Sequence, residues 1–141
     1  MKNNSIKLIT FLLLMVLFAS CSNNSEEEMD TTAPTVLIQS PDVNQSYVGY
    51  WGGAWPETDR VNLKALGTDE TEIASIKLIV INSSGALVFE KTVNSATSNQ
   101  TELIISESFT PPEVDTYSVV FVVNDVNGNI ETSESRTFVV E

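Results

Sequence analysis

The chain has 141 residues, of which 19 are acidic and 7 basic, with no histidine and a single cysteine. Its formal charge of −12 makes nucleic acid and anionic lipid surfaces poor partners, because both repel such a field. One cysteine excludes a disulfide within the chain, and the lack of imidazole removes the commonest general base and a frequent metal ligand.

The first element is a leader. Lys2 and Lys7 precede an apolar run from Leu8 to Phe18, a length that suits a secretory signal and falls short of the roughly 30 Å hydrocarbon core that a spanning helix must cross. The run ends in Phe18-Ala19-Ser20-Cys21, which resembles the lipobox of bacterial lipoproteins, with Phe18 where that family usually has leucine. The resemblance implies cleavage before Cys21 and lipidation of Cys21, hence a membrane partner through a lipid anchor. Ordinary cleavage near Ala19, leaving Cys21 as a thiol, is the other reading. Residues 1–20 are thus expected to be a signal peptide, and their removal leaves a charge of −14.

Residues 21–32 read as a flexible acidic tether, since Ser22 to Thr32 holds almost no large apolar side chain with which to offset the entropy of ordering. Its run Glu26-Glu27-Glu28 resembles the acidic export signal of Bacteroidetes lipoproteins. That resemblance implies an outer-membrane protein, lipid-anchored and surface-exposed. A solvated linker on a periplasm-facing protein is the alternative.

From Pro34 onward, short β-favouring runs alternate with turn residues, and no helical period is visible. Strands are predicted at 35–39, 60–66, 73–81, 86–93, 101–106, 117–123 and 136–140. Val61, Leu63 and Ala65 alternate with Asn62 and Lys64, as a half-buried strand requires. Asn82-Ser83-Ser84-Gly85 and Asn127-Gly128 are hairpin turns. Seven strands at short spacing predict an all-β, two-sheet antiparallel sandwich.

Three stretches carry a further resemblance. "DTTAPTVLIQSP" from Asp30, "GTDETEIASIKLIV" from Gly67 and "DTYSVVFVVNDVNGNIETSESRTFVV" from Asp115 look like the first strand, second turn and closing hairpin of bacterial immunoglobulin-like domains. Residues 33–141 are accordingly expected to form a seven-stranded immunoglobulin-like β-sandwich. The resemblance also makes Tyr117 a tyrosine corner, its hydroxyl bonded to backbone just upstream.

The remaining chemistry rests on carboxylates, hydroxyls and lysines. No nucleophile elbow or Ser–Lys pair is present, so an enzyme is not expected. In a sandwich of this type, one end gathers Asp30, Asp69, Glu70, Glu72, Asp125, Asn127 and Asn129. Hard oxygen ligands of this kind suit calcium, and Asp69, Glu70, Asp125, Asn127 and Asn129 are the candidate ligands; no other cofactor is expected. Asp125, Asn127 and Asn129 follow the spacing that opens an EF-hand loop, but the glycine falls early and Arg136 stands where the final carboxylate belongs. An Asn-Gly hairpin with exposed acids explains the same residues.

The last feature is the stretch "SYVGYWGGAW", which holds both tryptophans and two of the three tyrosines. Asp42 to Asp59 reads as an insertion between the first two strands, emerging opposite the tether. Two roles are open for its rings. They fold back to cap the sandwich, or Tyr47, Tyr50, Trp51 and Trp55 present a platform for a polysaccharide or a protein partner. The function expected from all this is a non-catalytic binding, adhesion or accessory module of the cell envelope. Its alternatives are a glycan-binding module using residues 47–55 and a purely structural spacer.

Overall fold

The computed structural model describes residues 29–50 and 57–141. The expected signal peptide, Cys21 and most of the tether lie outside them. Among the described residues, eleven strands form two facing sheets and a short ribbon. The smaller sheet has the order β1–β5–β8, with β1 at Thr35–Ser40, β5 at Val61–Thr68 and β8 at Glu102–Phe109. The larger has the order β2–β11–β9–β6–β7, formed by Gln45–Tyr47, Arg136–Val140, Asp115–Asp125, Ile73–Ile81 and Leu87–Asn94, with β10 (Ile130–Thr132) also on β9. β3 (Gly49–Tyr50) and β4 (Glu57–Thr58) make the ribbon.

All seven predicted strands are present, as β1, β5, β6, β7, β8, β9 and β11. Alternation decides which side chains face inward: Val61, Leu63 and Ala65 of β5 are buried, as are Ile76, Leu78 and Val80 of β6 and Tyr117, Val119, Phe121 and Val123 of β9. Each large aliphatic side chain so buried contributes about 1.5–3 kcal/mol. Gly67 takes the next inward place on β5 because nothing larger fits. A Cβ there would lie 3.0 Å from both methyls of Val123.

Two features depart from the sequence reading. Asp42 to Asp59 is not all insertion, since Gln45–Tyr47 is a strand of the larger sheet and pairs parallel with β11, Tyr47 opposite Val140. Every other pairing among the described strands is antiparallel. After β1 the chain crosses from one sheet to the other. The crossing is held by Arg136 Nη1, which donates to the Pro41 carbonyl at 3.1 Å, and by the Asn44 N–H on the Thr137 carbonyl at 3.0 Å. Three residues are too few to show alternation, and Tyr47 is the only large apolar one among them, so this strand left no period to read.

The inserted segment is therefore shorter than expected. It begins after Tyr47, and its base is closed by two bonds between Val48 and Asp59: the Asp59 N–H donates to the Val48 carbonyl at 2.9 Å, and the Val48 N–H to Asp59 Oδ2 at 3.0 Å. β3 and β4 pair beyond that point, Gly49 with Thr58 and Tyr50 with Glu57.

Candidate functional site

Segments from three separate parts of the chain converge beside the start of β1. Asp30 precedes β1, Asp69 follows β5, and Asp125 is the last residue of β9. Alternation along β9 puts Asp125 in line with Tyr117, Val119, Phe121 and Val123, so its side chain turns inward and is only 3% exposed. One carboxylate oxygen from each of Asp30, Asp69 and Asp125 lies within 4.8 Å of the others. A calcium ion sits about 2.3–2.6 Å from its oxygens, so oxygens on opposite sides of one ion stand roughly 5 Å apart. The spacing matches one hard cation.

Neighbouring donors partly compensate these charges. The backbone N–H of Asn129 donates to Asp125 Oδ1 at 2.7 Å, and its side-chain Nδ2 donates to Asp125 Oδ2 at 2.6 Å and to the Asp30 carbonyl at 3.1 Å. The Thr32 N–H donates to Asp30 Oδ1 at 2.9 Å and the Thr71 N–H to Asp69 Oδ1 at 2.8 Å. The hydroxyl of Thr71 lies 2.9 Å from Asp30 Oδ2 and 2.7 Å from Asp69 Oδ1. A hydroxyl carries one proton, so Thr71 can satisfy only one of those two carboxylates at a time. The Thr32 amide, then the Thr71 hydroxyl, hold Asp30 below the ordinary carboxylate range. Among the described residues, no lysine or arginine pairs with the three aspartates; the ion pair present is Lys77–Glu90, elsewhere on the surface. The corner is rich in negative charge and short of a compensating positive one.

The expected ligands fare unequally. Asp69 and Asp125 are brought together, and with them Asp30. Asn129 is there as a donor to both Asp30 and Asp125. Glu70 is exposed and lines an adjoining hollow of about 320 Å³ with Thr32, Ala33, Thr35, Thr68 and Asp69. Asn127 is exposed on the turn and makes no hydrogen bond among the described residues. Glu72 fastens neighbouring loops: its carboxylate accepts the Asn99 N–H at 2.8 Å and its carbonyl the Val126 N–H at 3.0 Å. Thr71, which bridges two of the aspartates, was missed by sequence reasoning; a threonine in a turn carries no signal of such a role.

At the far end, Tyr117 does what a tyrosine corner should. Its hydroxyl donates to the Glu113 carbonyl at 2.8 Å, and burial raises its pKa. Its ring stacks on Phe138 with centroids 5.5 Å apart, and Phe109 meets both rings edge-on at 5.6 and 6.2 Å. Of the aromatic stretch, Tyr47 is half-buried and meets Phe138 edge-on at 5.8 Å; burial, then Asp42 and Asp59, raise its pKa. Tyr50 belongs to β3. Trp51 and Trp55 lie outside the described residues.

The two facing sheets and the tyrosine corner make an immunoglobulin-like sandwich, and the profile of the bacterial Ig-like domain matches residues 24–141. The chain belongs to the bacterial Ig-like domain family. Bacterial Ig-like domains are typically extracellular or surface-associated and generally non-enzymatic. No curated protein matches the chain. A solved structure of an engineered protein resembles this Ig-like domain at 17% identity, over 77% of this chain and 20% of that one, with a TM-score of 0.48. The chain thus spans about a fifth of that protein's length.

Catalysis finds little to work with at the aspartate corner. A carboxylate acid–base pair must flank a substrate from open positions, whereas Asp125 is buried and both of its oxygens accept bonds from Asn129. The sandwich brings oxygen ligands together at one end and a buried cluster of rings at the other.

Proposed function

We propose that this Ig-like domain is a non-catalytic module of the bacterial cell envelope, anchored by lipid on Cys21 in the outer membrane and facing outward. It acts by binding, in an adhesion or accessory role, with a polysaccharide or a protein as its partner. The observation that carries this reading is the β3–β4 ribbon. It is a pairing of its own at the end away from Asp30, its base locked by Val48 and Asp59 and fastened beyond β11 by the Gly49 N–H on the Glu141 carbonyl. A spacer needs no such added ribbon.

The ribbon brackets the densest run of aromatic residues in the chain, and flat rings accept sugar or protein surface at small entropic cost. With Tyr47 packed on Phe138, the rings assigned to a partner are those of Tyr50, Trp51 and Trp55. A polysaccharide titration followed by tryptophan emission tests this. Emission should respond to the ligand, and Trp51→Ala and Trp55→Ala should abolish the response at unchanged melting temperature. A silent titration, with either variant losing several kcal/mol of stability, would assign the rings to the core instead.

A second reading is favoured by the three converging aspartates: calcium held by Asp30, Asp69 and Asp125, stiffening the joint between linker and sandwich. The uncompensated contacts around Thr71 support it. Binding at a hundredfold excess over Kd adds about 2.7 kcal/mol to stability, so the melting temperature should rise with calcium and fall back with chelator. No difference between the two conditions would remove this reading.

A further inference from the structure

Asparagine followed by glycine can cyclise on its own backbone, provided the next N–H and the side-chain amide are both unengaged and nothing blocks their approach. Eight asparagines fall among the described residues, and hydrogen bonding separates them. Beyond Asn44 and Asn94, the next N–H is held: Gln45 N–H donates to the Asp42 carbonyl at 3.3 Å, and Ser95 N–H to the Ala74 carbonyl at 3.0 Å. The side-chain oxygen of Asn82 accepts the Ala86 N–H at 2.8 Å, while the Ser83 N–H is held by Asp115 at 3.2 Å. Asn124 donates to Ser75, and the N–H after it is bonded to the Asn129 carbonyl. Asn129 is fixed on Asp30 and Asp125. Asn62 lies within β5, which is paired on both sides. Asn99 is followed by the bulky Gln100.

Asn127 differs on each count. It is exposed, and neither its side chain nor the Gly128 N–H makes a hydrogen bond among the described residues. Gly128 has φ of +93°, and a Cβ added there would meet nothing within 4 Å. No distant part of the chain crowds this turn.

We infer that Asn127 is a site of spontaneous covalent modification. The Gly128 nitrogen attacks Asn127 Cγ; the new N–C bond closes a succinimide ring, and the Cγ–Nδ2 bond breaks, releasing ammonia that carries away the displaced proton. Water then adds across either ring C–N bond, its hydroxyl to the carbonyl carbon and its hydrogen to nitrogen. The product is aspartate or isoaspartate. Either one brings a further carboxylate into the turn that Asp125 opens, so this acidic corner gains charge with age.

The test is to hold the purified protein warm at mildly alkaline pH and follow its peptides by mass, with enzymatic labelling of isoaspartate. The peptide containing Asn127 should be the first to gain one mass unit and should split into two isomeric forms, and Asn127→Gln should lose both changes. The inference is overturned if that peptide keeps its mass while another asparagine converts, or if the change persists in Asn127→Gln.

Discussion

Where β5 hands over to β6, the sandwich closes on carboxylates, amides and one bridging hydroxyl; where β5 begins, it closes on the rings of Phe109, Tyr117, Phe138 and Tyr47. A polar closure is directional, so it depends on how many protons and charges are present. An aromatic closure depends on area and feels protons only where a tyrosine hydroxyl ionises. One end of the molecule therefore responds to acid, and the other supplies stability that yields only to alkali.

The contrast breaks most visibly at Phe138. Its ring is fully buried and touches three other rings, so Phe138→Ala should cost about 3–5 kcal/mol in urea unfolding, whatever the calcium concentration. At the polar end, Asp125→Ala leaves Asn129 without its acceptor and should cost about 1–3 kcal/mol. It should also abolish any calcium-dependent rise in melting temperature, which Phe138→Ala would leave in place. The smallest effect belongs to Tyr117→Phe, which keeps the ring and loses the bond to Glu113, for about 0.5–1.5 kcal/mol.

Acid and alkali sharpen the same comparison. Asp30 has its pKa lowered by its hydrogen bonds to Thr32 and Thr71. Its contribution is therefore complete above the ordinary carboxylate value and is lost as pH falls through the lowered one. Tyr117 has its pKa raised by burial from 10.0, so its contribution is complete below that value and is lost as pH climbs through the raised one. The linker end should loosen in acid and the ring end in alkali. Tyr117→Phe should flatten part of the alkaline limb of a stability–pH curve, the rest remaining with Tyr47, which is raised in the same sense.

Most of this arrangement was legible in the residues. Alternation is a local property, so β5, β6 and β9 could be read directly, but not that β9 runs on to Asp125 and turns that carboxylate inward. The convergence of Asp30 with Asp69 and Asp125 followed from topology, because hairpin order alone decides which turns share an end. Pairings that depend on distant partners were less readable. β2 exists because β11 offers an edge to it, and Gln45-Ser46-Tyr47 says nothing of that by itself. The ring cluster has a similar origin: Phe109 and Phe138 sit at ordinary inward positions of β8 and β11, and only the facing of the two sheets makes them neighbours of Tyr117. Thr71 became significant through its distances to two carboxylates that are remote in the chain.

The division of the first strand between two sheets has a mechanical consequence. Tension applied lengthwise to β1 from its Thr35 end would shear the β1–β5 hydrogen bonds together instead of parting them one after another. Load that passes Pro41 is taken up lengthwise again, by β2 against β11. The start of the domain is thus clamped twice, once in each sheet.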